Sequence, residues 1–210
     1  MDVNVFMSPK WNFMVLDRIT ERHKNMNIAI DIEGTVADVH EAFLQWFNTK
    51  YDTNFTIKDI DNWNIAKTKL GITTSEFIES LRKLWKQQCT MTLTDSNIPK
   101  IIDRLIDSGH RIYFVTAHYE VAPQIIDWIN KNRLKHSGFM AVKNTEVKKI
   151  LSFDLFIDDC PLLVESLGHR LFLYNRPYNT NTKAINRFTD FSELTNRINM
   201  WPRRGENESL

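Results

Sequence analysis

The apolar residues of this chain fall into two rhythms. Short solid runs bounded by polar residues recur at Ile28–Ile30, within Arg111–His118, near Phe139–Val142, within Asp154–Pro161 and at Arg170–Tyr174. Runs this short and this apolar fit strands buried on both faces. Between them the spacing changes to that of helices with one apolar face. Glu41–Lys50 carries Phe43, Leu44 and Phe47, while Ile98–Ser108 carries Ile101, Ile102, Leu105 and Ile106, with Gly109 as its stop. Thr73-Thr74-Ser75-Glu76 supplies helix-start chemistry for a helix through Leu84 and Trp85. Further helices are expected at Ile125–Lys131, in a short stretch containing Lys148, and at Phe191–Ile198. Asn62–Ile65 reads as irregular. Ser8-Pro9 reads as the start of a short helix with Trp11, Met14, Val15 and Ile19 on one face.

Strands alternating with helices define an α/β fold class, a Rossmann-like parallel sheet flanked by helices. Residues 39–97 hold few strand signals and follow the first core strand, so a small helical insertion is expected there, over one edge of the sheet. Residues 26–38 and 98–200 make the core, 1–25 an N-terminal extension without assigned chemistry, and 201–210 a loose tail.

In such sheets ligands gather at the carboxyl ends of the strands. There the sequence puts Asp31, Thr116 and the pair Asp158-Asp159. Carboxylates brought together out of water repel one another, so something must compensate them. Hard oxygen ligands with open coordination positions suit Mg²⁺, which keeps several waters and takes a substrate phosphate. A carboxylate beside such an ion can attack phosphorus, and Asp31 at the strand tip is the candidate nucleophile. Glu33, two residues on, is spaced to protonate the leaving oxygen and then to deprotonate the attacking water. Gly34 lets the backbone turn closely around a phosphate. Thr116 offers a hydrogen bond to a phosphate oxygen, and a lysine would neutralise the developing charge.

Charge and cysteine usage narrow the partners. A net charge of +1 over 210 residues advertises no basic field, so polymeric nucleic acid is not an expected partner, and a 3′-phosphatase of nucleic-acid ends is disfavoured. Cys89 and Cys160 lie in no CxxC or zinc-like spacing and read as two reduced thiols. No apolar run reaches the roughly 20 residues of a membrane span. The N-terminal Met-Asp opens no signal pattern, so a cytoplasmic protein without a membrane partner is expected. The oligomeric state is left open.

Four motifs in order resemble those of the haloacid dehalogenase-like phosphohydrolases: D-x-E-G-T at Asp31–Thr35, Thr116 after an apolar strand, a lysine, and Ile157-Asp158-Asp159. "TVADVHEAFLQWFN" after the first motif, "NWNI", "DLFIDDCP" and "RPYN" at Arg176–Asn179 resemble one branch, the cytosolic 5′(3′)-deoxyribonucleotidases. The resemblance spans about Met26 to Asn179. It implies Asp31 as nucleophile, Glu33 as acid and base with its backbone carbonyl on Mg²⁺, Asp159 as a direct metal ligand, and Asp158 as a ligand directly or through water. It further implies Gly34, Thr35, Thr116, Ala117 and His118 as the substrate-binding set. Lys148, ten residues before Asp158, has the spacing of the branch's lysine, with Lys149 and Lys143 as rivals. The helical insertion would be the cap that carries specificity.

The chain departs from the branch at two positions. Glu33 stands where the branch has Asp, and misplacing a proton donor by ~1 Å can cost ~100-fold in rate. Enolase-phosphatases also read D-I-E-G-T, so glutamate there does not abolish phosphatase chemistry. Val39 stands where the nucleotidases often carry an aromatic, so a base stack would come from Trp46, Trp63 or Trp85, which otherwise read as insertion core. Asp38 reads as a helix cap and Arg176 as either a ligand contact or an ion pair. His118 is either a phosphate contact or a plain loop residue. The expected function is Mg²⁺-dependent hydrolysis of a small phosphate monoester through an aspartyl-phosphate, with a (deoxy)nucleoside monophosphate as substrate. The alternatives are a sugar phosphate or other small metabolite, and a catalytically weak module that binds a nucleotide or a protein.

Overall fold

The computed structural model describes residues 25–87 and 91–201. The helix expected near Ser8, Cys89, and residues 202–210 lie outside the described residues. Among the described residues, β1 (Asn27–Asp31), β2 (Arg111–Thr116), β3 (Gly138–Ala141), β4 (Leu155–Asp158), β5 (Leu171–Tyr174) and β6 (Asn186–Phe188) form one sheet in the order β3-β2-β1-β4-β5-β6. Every neighbouring pair is parallel.

The solid apolar runs are explained by burial on both sheet faces. Along β1, Ile28 and Ile30 point into a large cluster with Ile112, Phe114, Ile157 and Phe172. Ala29 points the other way, into a smaller cluster with Val115, Phe156, Leu163 and Leu173. In register, Ile28 lies opposite Ile112 on one side and Leu155 on the other. β6 has no counterpart in the sequence reading. Asn186-Arg187-Phe188 is a three-residue edge strand with one buried side chain, and so short an edge carries neither an apolar run nor an alternation.

Helices connect the strands. α1 (Val39–Tyr51) and α2 (Thr74–Gln87), with short 3₁₀ turns between them, follow β1, and α3 (Ile98–Asp107) leads into β2. α4 (Ala122–Lys131), α5 (Thr145–Lys149), α6 (Val164–Leu167) and α7 (Leu194–Asn199) follow in order. Asp38 caps α1 by accepting the Glu41 N–H at 3.3 Å. At the start of α2, Thr73 N–H donates to Glu76 Oε2 at 2.8 Å and Glu76 N–H to Thr73 Oγ at 3.2 Å, a reciprocal capping box. α3 buries Ile98, Ile101, Ile102 and Leu105. Past its end Gly109 takes φ +93°, and the His110 N–H returns to the Leu105 carbonyl at 3.0 Å. Trp201, expected in the loose tail, is buried, its ring stacked 5.8 Å from that of His169.

This topology positions the site. β2, β1 and β4 are adjacent and parallel, so Thr116, Asp31 and Asp158 end on one sheet edge. The chain runs outward from β1 through β2 to β3, then returns to β1's other side for β4. A crevice opens at the carboxyl edge of a parallel sheet where the strand order reverses in this way.

Candidate active site

The loop after β1 is wound tightly. The amides of Val36 and Ala37 both donate to the Ile32 carbonyl, at 2.9 and 2.8 Å, and the Gly34 amide donates to the Ala37 carbonyl at 2.9 Å. Gly34 sits at φ +83°. A Cβ there would overlap Asp159 Oδ2 and come within 2.8 Å of the Tyr178 hydroxyl, so glycine is demanded by both conformation and space. Thr35 Oγ1 donates to Asp159 Oδ1 at 3.1 Å. The loop thus wraps the second acid of the pair.

Asp31, Asp158 and Asp159 are all buried, and their candidate ligand oxygens lie within 4.8 Å of one another. Asn144 caps α5 by accepting the Val147 N–H at 3.2 Å, and this short helix delivers Lys148. The buried Lys148 ammonium bridges Asp31 Oδ1 and Asp158 Oδ2, the latter at 3.0 Å. Of its rivals, Lys149 pairs with Glu146 at 2.7 Å, and Lys143 lines the same cleft.

The electrostatics leave the cluster short of positive charge. Burial, then Asp158, push the Asp31 carboxyl well above the usual carboxylate range, and Lys148 only partly opposes them. Asp159 is pushed up to about 6 by burial and by Asp158, against the pull of the Tyr178 hydroxyl. For Lys148, burial alone would lower the ammonium, but Asp158 and Asp31 outweigh it and the group stays charged. Among the described residues the three acids face the Lys148 ammonium, with the Arg176 guanidinium also acting on Asp159. A doubly charged cation held by oxygen ligands fits this donor set and would restore the balance.

Glu33 lies at the edge of this cluster, outside the group of three. Its Oε2 accepts the Thr116 hydroxyl at 2.8 Å, and its Oε1 is buried with no partner among the described residues. Thr116 is itself fully buried, and its Oγ1 accepts the His118 N–H at 3.0 Å. That oxygen therefore fixes the turn carrying Ala117 and His118, both of which line the cleft. Asp158 Oδ1 accepts the Cys160 N–H at 2.9 Å, so it also secures the turn after β4.

Above the acids lies a cleft of about 340 Å³, within the size range of small-molecule sites. Val39, His40, Ile60, Trp63, Phe77 and Leu81 give it an apolar wall. Of the three tryptophans, only Trp63 lines it. Trp85 is buried against Trp128, ring to ring at 5.8 Å, and Trp46 packs beside Phe43 and Lys50. Arg176 forms an ion pair with Asp38 at 3.0 Å. Asp38 is thus both helix cap and ion-pair partner.

Three residues at the site had no role in the sequence reading. The Tyr178 hydroxyl donates to Asp159 Oδ2, and Asn179 Nδ2 donates at 2.8 Å to the carbonyls of both Asp159 and Tyr174. Both belong to "RPYN", whose position just past a core strand was the available signal. His40 belongs to the stretch after the first motif, where nothing in the sequence told a cleft histidine from a core one.

The same architecture occurs in solved structures. That of a predicted phosphoglycolate phosphatase from Haemophilus somnus 129PT is 14% identical with a TM-score of 0.53, covering 81% of this chain and 96% of that one. CbbY from Rhodobacter sphaeroides, solved in complex with phosphate, is 13% identical with a TM-score of 0.52, covering 80% and 96%. These likenesses are of fold. The ordered motifs, independently, resemble those of the haloacid dehalogenase-like class of phosphohydrolases. Within that class the chain belongs to the family described as "5′ nucleotidase, deoxy (Pyrimidine), cytosolic type C protein", whose model matches residues 25–203. It is therefore an enzyme, a phosphatase of nucleotidase type. The 5′(3′)-deoxyribonucleotidase of Bacillus subtilis (strain 168) is 24% identical over 179 residues, 81% of this chain and 97% of the relative, and that of Bacillus phage SPbeta matches to the same extent.

Proposed function

We propose that this protein hydrolyses nucleoside monophosphates by a Mg²⁺-dependent route through an aspartyl-phosphate on Asp31. The observation that carries the reading is the buried group Asp31, Asp158 and Asp159, bridged by Lys148 at the floor of an apolar-walled cleft. Asp31 and Asp159, with Asp158 and the Glu33 carbonyl, would hold Mg²⁺, which when bound supplies charge neutralisation at the phosphate.

The Asp31 carboxylate attacks phosphorus as the bond to the leaving oxygen breaks. Glu33 gives that oxygen a proton. It then takes one from the water that attacks the aspartyl-phosphate, freeing inorganic phosphate and restoring Asp31. Its unpartnered Oε1 suits this traffic, and the Thr116 hydroxyl orients it. Lys148 partly offsets the burial and the Asp158 charge that disfavour the Asp31 carboxylate, and aims it. Gly34 and Thr35 hold the loop close, and Thr116, Ala117 and His118 form the turn that would receive the phosphate oxygens. Residues 39–97, with α1 and α2, act as the cap over a core of 26–38 and 98–200. Membership of a family of cytosolic type supports a cytoplasmic setting. Among the described residues no helix is long and apolar enough to cross a membrane.

Phosphate release from a panel of ribo- and deoxynucleotides and sugar phosphates tests this reading. Turnover that needs Mg²⁺, favours nucleotides and is lost in Asp31→Asn supports it. Equal turnover of all the monoesters would defeat the nucleotide assignment. No release from any of them would leave a binding module.

A further inference from the structure

One buried group at the cleft wall has no part in the chemistry above. His40 lines the cleft at the start of α1 and is only 8% exposed. Its ring lies between that of Phe77, stacked at 5.8 Å, and that of Tyr178, tilted at 4.8 Å. Its Nδ1 is buried and has no hydrogen-bond partner among the described residues. Buried polar atoms are ordinarily paired, and an apolar ring would fill this place without the penalty of a stranded nitrogen. The absence of a partner among the described residues points to one that arrives with the ligand.

The chemistry of that partner is constrained. Burial, then the Arg176 guanidinium, hold His40 down at about 3, so the ring is neutral at ordinary pH. A neutral imidazole has one donor and one acceptor nitrogen and suits an uncharged polar group better than a phosphate dianion. Its depth is also set. Tyr178, in contact with His40, hydrogen-bonds Asp159, so His40 stands one ring away from the acids. The part of a nucleotide bonded directly to the phosphate is its sugar.

We propose that His40 hydrogen-bonds a hydroxyl of the substrate's sugar and so selects among sugars. The proposal rests on the nucleotide reading above. A hydroxyl both donates and accepts, so it satisfies Nδ1 in either tautomer. A site with a buried group awaiting a hydroxyl discriminates against the analogue lacking it, because the group is then left unpaired.

The test compares kcat/KM for the ribo-, 2′-deoxy- and 2′,3′-dideoxynucleoside 5′-monophosphates of one base, using the full chain with Mg²⁺. Wild type is expected to lose about tenfold or more when the contacted hydroxyl is removed, mainly through KM. His40→Phe, which keeps the ring between Phe77 and Tyr178, is expected to shrink that ratio to about twofold. His40→Asn, whose amide reaches the Nδ1 position, should retain more of the ratio than His40→Gln, whose amide reaches Nε2. That second comparison stands even if His40→Phe fails to fold. Unchanged ratios in His40→Phe, equal ratios in the Asn and Gln variants, or a wild type indifferent to all three sugars would overturn the proposal alone. A wild type that prefers sugar phosphates to every nucleotide would overturn the underlying reading, and the proposal with it.

Discussion

Replacing Lys148 by methionine asks whether charge balance holds the acidic cluster together. Methionine keeps the apolar stem and removes the ammonium. In the wild type that ammonium bridges Asp31 and Asp158, and the three side chains are 5%, 5% and 3% exposed. Removing one partner of a buried ion pair costs about 3–5 kcal/mol, because the remaining charge is stranded. Proton uptake by Asp31 relieves part of this, since burial and Asp158 already hold its carboxyl high, so the lower end applies. At about 2–4 °C per kcal/mol for a chain of this size, a loss of about 3 kcal/mol lowers Tm by about 6–12 °C. The more negative site should also bind a divalent cation more tightly, so Mg²⁺ should raise the Tm of the variant more than that of the wild type. Scanning calorimetry in EDTA and across a Mg²⁺ titration, at neutral pH, reads both effects. A Lys148→Met protein that melts with the wild type in EDTA and gains no more from Mg²⁺ would refute the charge-balance argument.

Other perturbations probe the neighbouring parts. Gly34→Ala forces φ +83° on an L-residue and drives a Cβ into Asp159, so kcat should fall about 100-fold or more; activity within about threefold of wild type would mean the loop relaxes freely. Glu33→Asp draws the carboxylate back from the Thr116 hydroxyl now at 2.8 Å, and kcat should drop about 10- to 100-fold; a faster enzyme would show that glutamate is a compromise. His40, at about 3 in the folded chain against 6.5 unfolded, stays neutral where the unfolded chain takes up a proton. The stability it preserves is complete above pH 6.5 and is lost as pH falls towards 3. By pH 5 the wild type should have lost roughly 2 kcal/mol more than His40→Phe, as measured by urea unfolding at both pH values. Parallel losses in the two proteins would contradict that sign.

The fold was legible wherever burial left a periodic trace. β1, β2 and β4 are buried on both faces, so their apolar runs stand out, and the helices at Glu41, Ile98 and Ile125 carry one-sided stripes because one side meets the sheet or the insertion. β6 left no trace because three residues at an edge need no pattern. Asp38 could be read as a helix cap because that role depends on Glu41, three residues away.

Local periodicity and strand direction were enough to set out the parallel α/β plan, the helices after the first strand and the acids at the strand ends. Packing alone set Lys148 against Asp31 and Asp158, turned Arg176 towards Asp38, put Trp63 rather than Trp85 at the cleft, and brought Tyr178 to Asp159 with His40 beside it. Each of those outcomes depends on side chains from distant segments meeting in space. No spacing along the chain encodes such a meeting, because it is settled by packing over the whole core.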